Sequence, residues 1–264
     1  MALNVALMYP NVKWDQWISR TAWDIHPYNL GLLAAMIEGK HDVRIIDANF
    51  DNLSPEEFSR NLEENPPDVL GISVITNEYS QSGIIAAEVA KKINPKIKTV
   101  AGGVSAISYP KPFIESSDVD FIVRGEGEYA FRDLCNFLSG DGAFPEKGVL
   151  SKGEGKVIGS GKVDFIEDLD KLPLPAYHLV DYKKYTNRGP RETADRARAM
   201  PYARIITSRG CPHSCCFCEV GSISGRKPRF RSLDNITKEI EWLIERYGIK
   251  GLSFDDDNLI TNRR

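Results

Sequence analysis

No stretch of this chain approaches the ~20 consecutive apolar residues that a membrane-spanning helix needs. Its opening, Met1-Ala2-Leu3-Asn4-Val5-Ala6-Leu7-Met8, enters an apolar run directly and has no cationic region of the kind that starts a secretory signal. Cytoplasmic residence is therefore expected, with no membrane partner. Charge of one sign is also missing: 34 Lys and Arg stand against 37 Asp and Glu, and a net charge of −3 gives no reason to expect a nucleic-acid partner. Cysteine is scarce and odd in number, five in 264 residues, which excludes a disulfide scaffold. No Gly-x-Gly-x-x-Gly follows the first predicted strand, so a dinucleotide site has little support. Internal repeats are absent too.

What cysteine there is lies almost all in one place. Four of the five fall within Cys211-Pro212-His213-Ser214-Cys215-Cys216-Phe217-Cys218, after the apolar run Ala203–Thr207 and the turn Ser208-Arg209-Gly210. Buried cysteines acting as small hydrophobes are not this dense. Thiols spaced C-x3-C-x2-C on one loop can converge on a single metal centre. An iron–sulfur cluster is one occupant, since such clusters are held by cysteine thiolates. Zinc is the other, because Cys3His is an accepted ligand set and His213 lies inside the run. Zinc sites usually draw ligand pairs from two separated loops, and no second pair is present.

Residues 1–140 alternate strand and helix patterns. Strands are expected at Asn4–Met8, Val43–Ile46, Val69–Ser73, Thr99–Ala101 and Phe121–Val123, short and rich in Val and Ile as befits a sheet covered on both faces. Helices are expected at Asn29–Glu38, Pro55–Glu64, Tyr79–Ile93 and Glu128–Leu138, with a shorter one within Tyr109–Glu115. Ser54 followed by Pro55 is a helix-start signal. Five parallel strands joined by crossover helices predict an open doubly wound sheet in the order 2-1-3-4-5, whose ligands bind at the carboxyl ends of the strands. The loops there are Ser73-Val74-Ile75-Thr76-Asn77, Gly102-Gly103-Val104-Ser105-Ala106 and Arg124-Gly125-Glu126-Gly127-Glu128. Glycine pairs let a backbone approach a large flat ligand, and hydroxyls supply neutral donors and acceptors. Any one such loop reads equally as a tight turn.

Residues 141–200 read as a linker. A β-hairpin is expected from Gly148–Leu150 and Lys156–Ile158, turning at Gly153–Gly155, and Asp168–Tyr177 is an extended, proline-set connector. The Arg-rich piece Asn187–Ala199 reads as an exposed loop. From 201 to 264 a second α/β unit begins with a strand at 203–207. A helix capped by Ser232 should carry Ile236, Ile240, Leu243 and Ile244 on one face and end at Gly248. A strand Gly251–Phe254 then leads into Asp255-Asp256-Asp257-Asn258, where three adjacent carboxylates repel one another and suggest a cationic partner.

The cysteine octet resembles the signature of radical S-adenosylmethionine (SAM) proteins, with Cys211, Cys215 and Cys218 at the ligand positions and Phe217 as the aromatic before the last cysteine. The three loops of the first half resemble the cobalamin (B12)-binding domain that precedes many radical SAM barrels, as does Pro27-Tyr28-Asn29-Leu30-Gly31-Leu32. The resemblance implies a Rossmann/flavodoxin-like α/β sheet of the B12-binding type, followed by the first βαβ portion of a radical SAM partial TIM barrel. It implies a [4Fe-4S] cluster on the three cysteines, with SAM on the fourth iron beside Phe217, Asp256, Asp257 and Asn258. Cobalamin would lie against Ser73, Ile75, Thr76, Asn77, Gly102, Gly103, Val104, Arg124, Gly125, Glu126, Gly127 and Glu128. Many cobalamin domains carry Asp-x-His-x-x-Gly, whose histidine ligates cobalt; here Asp24-Ile25-His26-Pro27-Tyr28-Asn29 is a near miss. The radical SAM branch commonly lacks that ligand, which leaves cobalt base-off.

The implied function is reductive cleavage of SAM to a 5′-deoxyadenosyl radical, for methyl transfer to, or cyclisation of, an unactivated carbon substrate. The implied partners are a small-molecule substrate, an electron donor such as flavodoxin or ferredoxin, and a chain completing the barrel, because such barrels have more strand–helix repeats than appear here. Two other readings are a non-catalytic cobalamin-binding module and a zinc-stabilised α/β interaction protein.

Overall fold

The computed structural model describes residues 1–15, 26–153, 156–159, 162–187 and 200–260. The hairpin tip at 154–155, Asp24 and Ile25, most of the Arg-rich piece (188–199) and the last four residues lie outside the described residues.

The first unit is built from β1 (Asn4–Tyr9), α1 (Tyr28–Ala35), β2 (Asp42–Asp47), α2 (Pro55–Glu64), β3 (Val69–Ser73), α3 (Ser80–Ile93), β4 (Lys98–Gly102), α4 (Gly103–Ser108), α5 (Lys111–Glu115), β5 (Phe121–Val123) and α6 (Gly127–Leu138). The five strands are parallel in the order β2-β1-β3-β4-β5, as the alternating pattern predicts. A hairpin of β6 (Val149–Gly153) and β7 (Lys156–Ile158) does not stand apart as a linker feature. It pairs antiparallel onto β5 and extends the same sheet to seven strands. Once β5 offers a free edge, the nearest strand with unmet backbone groups covers it.

Both faces of the sheet are buried. On one, Phe58, Leu62, Ala86, Ala87, Ala90 and Phe113 of α2, α3 and α5 pack on Ala6, Met8, Leu70 and Ile72. On the other, Leu30 and Ala34 of α1 and Phe131 and Leu134 of α6 pack on Val5, Leu7, Val69 and Val100. Helix starts follow local chemistry. Ser54 and Glu57 form a reciprocal capping box at α2, in which the Ser54 hydroxyl accepts from Glu57 N and Ser54 N donates to the Glu57 carboxylate, a device worth ~1 kcal/mol. Gly31 has a packing role. A Cβ there would meet Pro175 Cβ at 3.1 Å, and its carbonyl accepts from Ala176 N at 2.8 Å, so α1 receives the connector at van der Waals distance.

The connector leads through α7 (Tyr182–Asn187) to the second unit: β8 (Tyr202–Ile205), β9 (Ser208–Arg209), α8 (Val220–Ile223), β10 (Arg229–Phe230), α9 (Leu233–Tyr247) and β11 (Gly251–Phe254). β8 and β11 are parallel neighbours, and β9 pairs antiparallel with β10. Ser232 caps α9 by accepting from Asn235 N, and Gly248 ends it in the left-handed region at φ 65°. Leu243 is fully buried, whereas Ile244 is 49% exposed, so the apolar face is narrower than the sequence pattern predicts. Short elements α4, α7, α8, β9 and β10 have too few residues to show a period, and the sequence gives no sign of them.

An aromatic cluster joins the two units. His26 is buried, with ring contacts to Tyr182, Tyr185 and Tyr202 and a 3.2 Å contact between its Nδ1 and the Tyr182 hydroxyl. Tyr185 donates from its hydroxyl to Asp47 Oδ2 at 3.0 Å, which ties α7 to the end of β2. Burial pushes the Asp47 carboxyl up to about 7, against the lowering effect of hydrogen bonds from Phe50 N and Tyr185. The folded protein therefore holds a proton on Asp47 that the unfolded chain has released above its ordinary carboxylate range. Stability carried by this group is full at acid pH and falls as pH rises through about 7. Asp47→Asn should abolish that loss, gaining a few kcal/mol relative to the parent at pH 8 compared with pH 4, measured by urea unfolding across that range.

Candidate functional site

All βα loops of a doubly wound sheet emerge at one end, and the second unit sits over that end here. Between them lies a cavity of about 300 Å³, at the lower end of the size of small-molecule sites. Its floor is apolar, with Leu7, Leu30, Leu33, Ile72, Val100 and Phe131. Its rim carries Ser73, Ile75, Gly102, Gly103, Val104, Gly125, Glu126, Gly127 and Glu128, nine of the residues expected at a cobalamin site. The opposite wall comes from the second unit: Ile206, Ser208, Arg209, Ile223, Ser224, Asp255 and Asp257.

Three expected residues are not among the cavity-lining residues. Thr76 caps the following turn by accepting from Glu78 N, and Asn77 accepts from the Ser108 hydroxyl at 3.0 Å. Arg124 lines a separate groove with Tyr129, Lys147 and Asp164. His26 lies in the aromatic cluster and does not line the cavity. The floor residues of α1 and β1 went unread because apolar residues on buried elements look like ordinary core in a sequence; only the Leu30-Gly31-Leu32 motif marked them.

The two glutamates of Arg124-Gly125-Glu126-Gly127-Glu128 meet two arginines of the second unit. Glu126 makes a two-pronged contact with Arg229, at 2.7 and 2.9 Å, and lies 3.3 Å from Arg209. Its Oε2 also accepts from Ile166 N at 2.6 Å. Glu128 Oε1 accepts from Arg209 Nη2 at 2.5 Å, while Glu128 Oε2 is buried without a hydrogen-bond partner. Burial alone would raise the Glu128 carboxyl, but the Arg209 guanidinium holds it below the usual range; Arg209 in turn is raised, burial being outweighed by Glu128 and Glu126. The four side chains are therefore paired across the junction and almost out of water.

Arg209 leads directly into the cysteine loop. Gly210 has φ 87°, and a Cβ there would meet Lys227 O at 2.7 Å and Ser224 O and Gly225 O at 3.1 Å, so only glycine makes this turn. Asp257 Oδ2 accepts from Gly210 N at 3.0 Å, Cys211 N donates to Gly225 O at 3.2 Å, and Arg226 Nη1 donates to His213 O at 2.5 Å. Cys211 is half-buried, with Asn258 Nδ2 3.9 Å from its sulfur; Cys215, Cys216, Cys218 and Phe217 are exposed. Among the described residues, no three Cys, His, Asp or Glu side chains already stand together as a metal site. The donors that this loop offers are thiols, which suit an iron–sulfur cluster. Cys135 is different, being fully buried in α6, where burial pushes its thiol up to about 12.

The acidic run after β11 is neutralised within the chain. Asp255 pairs with Arg204 Nε at 2.5 Å. Asp256 accepts from Thr207 N, Thr207 Oγ1 and Ser208 Oγ at 3.1, 2.7 and 2.5 Å, so it pins the strand ahead of the cysteines. Of the four residues expected near SAM (Phe217, Asp256, Asp257 and Asn258), Asp257 alone lines the cavity. The repulsion that the sequence implied is met by Arg204 and by these donors.

The family model for the B12 binding domain matches residues 18–135, and that for the radical SAM superfamily matches residues 205–255. An uncharacterised methyltransferase of Pyrococcus horikoshii is 32% identical over 90% of this chain and 50% of its own length. The anaerobic magnesium-protoporphyrin IX monomethyl ester cyclase of Rubrivivax gelatinosus is 27% identical over 86% of this chain and 40% of its own. Among solved structures, the cobalamin-dependent SAM radical enzyme OxsB, with aqua-cobalamin and SAM bound, superposes with a TM-score of 0.74 at 22% identity, over 98% of this chain and 34% of that one. The chain thus spans half or less of each of these proteins.

Gly210→Ala should lower the stability of the second unit by about 1–3 kcal/mol through the left-handed turn and the carbonyl clash, read as a shifted denaturant midpoint, whereas Gly39→Ala, with nothing near its Cβ position, should leave it in place.

Proposed function

Because this chain belongs to the B12-binding radical SAM proteins, we propose that it holds cobalamin in the cavity at the end of the sheet and a [4Fe-4S] cluster with SAM at the cysteine loop. The observation that carries this reading is the shared cavity. Its floor and rim are the carboxyl end of the sheet, and its opposite wall is the segment that runs into Cys211. The residues fit the groups. Gly102 leaves open space, a Cβ there finding only Val123 Cβ at 3.9 Å, and the partnerless Glu128 Oε2 offers an acceptor to an amide N–H.

In this family the cluster supplies the electron that cleaves SAM to a 5′-deoxyadenosyl radical, and cobalamin supplies a methyl group. This chain's own residues do the rest. Cys211, Cys215 and Cys218 would hold the cluster, Asp257 and Gly210 fix the loop's entry, and Leu7, Leu30, Leu33 and Phe131 would keep the cavity floor dry for cobalamin. The described cavity lining holds no imidazole, so no histidine of this lining would ligate cobalt. The reaction class is methyl transfer to, or cyclisation of, an unactivated carbon in a small molecule. The free edge of β11 and the exposed Leu233 and Ile244 of α9 form the face where further strand–helix units of such a barrel would add, and a flavodoxin or ferredoxin would deliver the electron.

The test is metal and sulfide content, with absorption and electron paramagnetic resonance (EPR) spectra, of protein reconstituted anaerobically with iron, sulfide and hydroxocobalamin. About four irons and four sulfides per chain, with bound cobalt, are expected. Alanine at Cys211, Cys215 or Cys218 should each abolish the cluster, and Cys216→Ala and Cys135→Ala should keep it. Zinc without iron would sink the radical reading in favour of a zinc-stabilised protein, and cobalt without iron would leave a cobalamin-binding module.

A further inference from the structure

We infer that the buried quartet of Glu126, Glu128, Arg209 and Arg229 is a positioning device that couples occupancy of the corrin cavity to the order of the cysteine loop. This rests on the function proposed above.

The geometry carries it in three steps. First, the two carboxylates stand together at the start of α6, Glu126 at its N-cap and Glu128 in its first turn, while the two arginines are register partners on the paired strands β9 and β10. The first unit thus brings two carboxylates and the second two guanidiniums to this contact, where they pair. Second, the pairing is uneven. Glu126 and Arg229 are saturated: besides each other they bind Ile166 N, Ile166 O and Ser224 O. Glu128 and Arg209 are joined by one contact and both line the cavity; the Glu128 side chain is 8% exposed, and its buried Oε2 has no hydrogen-bond partner. A buried carboxylate oxygen without a donor is costly, so a ligand N–H in the cavity has a strong reason to bind there. Third, Arg209 precedes Gly210 and Cys211 directly, and this turn is tied on both sides, Gly210 N donating to Asp257 and Cys211 N to Gly225 O. A donor that takes up Glu128 Oε2 therefore fixes the carboxylate that holds Arg209, and with it the entrance to the cysteine loop. Arg229–Glu126 is the rigid anchor, and Arg209–Glu128 is the responsive pair.

Linkage makes the coupling reciprocal: if cobalamin orders the cysteine loop, a loaded cysteine loop must tighten cobalamin by the same factor. The experiment is hydroxocobalamin affinity, by spectral titration, of the chain with and without its cluster, for the parent, Glu128→Gln and Arg209→Lys. The parent should bind about fivefold or more tightly when the cluster is present. In both variants the ratio should fall to about one, with iron and sulfide content and the denaturant midpoint as controls. Glu128→Gln keeps the size and one acceptor of the side chain, so it decides the matter should Arg209→Lys fold poorly. A parent ratio near one, or a ratio kept in Glu128→Gln, would overturn the coupling while leaving both cofactor sites standing. No cobalt bound to any form, or no cluster, would instead overturn the proposed function and this inference with it.

Discussion

A guanidinium removed from water has to be met by acceptors, and the acceptors of Arg229 come from three separate stretches: the Glu126 carboxylate, Ile166 O in the connector and Ser224 O beside the cysteine loop. That requirement brings the connector, the end of the first sheet and the second unit to one point. Removing one partner of such a pair leaves an uncompensated buried charge at a cost of about 3–5 kcal/mol. This polar contact lies at the cavity's edge, while the apolar floor belongs wholly to the first unit.

Charge and hydrogen-bond accounting also explain the acidic run after β11. A row of carboxylates looks like a site waiting for a cation. In the fold, Arg204 meets Asp255, the Thr207 and Ser208 donors meet Asp256, and Asp255 and Asp257 line the cavity. Asp256 is better understood as a clamp between β11 and the segment after β8 than as a ligand of anything bound. The Arg-Gly-Glu-Gly-Glu motif is similar: its two glutamates line the cavity but are paired with protein arginines.

The larger elements were legible because burial imposes a period. The five parallel strands, the capped α2 and the long α9 announce themselves through alternation, Ser54 and Ser232 caps, and Gly248. What was hidden has no period. β9 and β10 are two residues each, and their pairing is decided by the Arg209 and Arg229 contacts across the junction. The hairpin was visible as a hairpin, but its attachment to β5 depends on which edge is left free, a property of the assembled sheet. At the site, glycines and cysteines were readable because few residues can replace them, whereas Leu30, Leu33 and Phe131 were indistinguishable from any core. Ion pairing between residues a hundred positions apart left no local trace at all.

The sheet has a consequence for the order in which the molecule is made. All seven of its strands are complete by Ile158, and domains fold as units from the amino terminus during synthesis. A nascent chain therefore presents a finished sheet whose Glu126 and Glu128 are still hydrated, and whose apolar floor is still open to water, before Arg209 and Arg229 have been translated. Closure waits on the ribosome: the cavity acquires its roof only when the arginines that flank the cysteine loop emerge, so the roof and the loop are delivered to the finished sheet in a single late event.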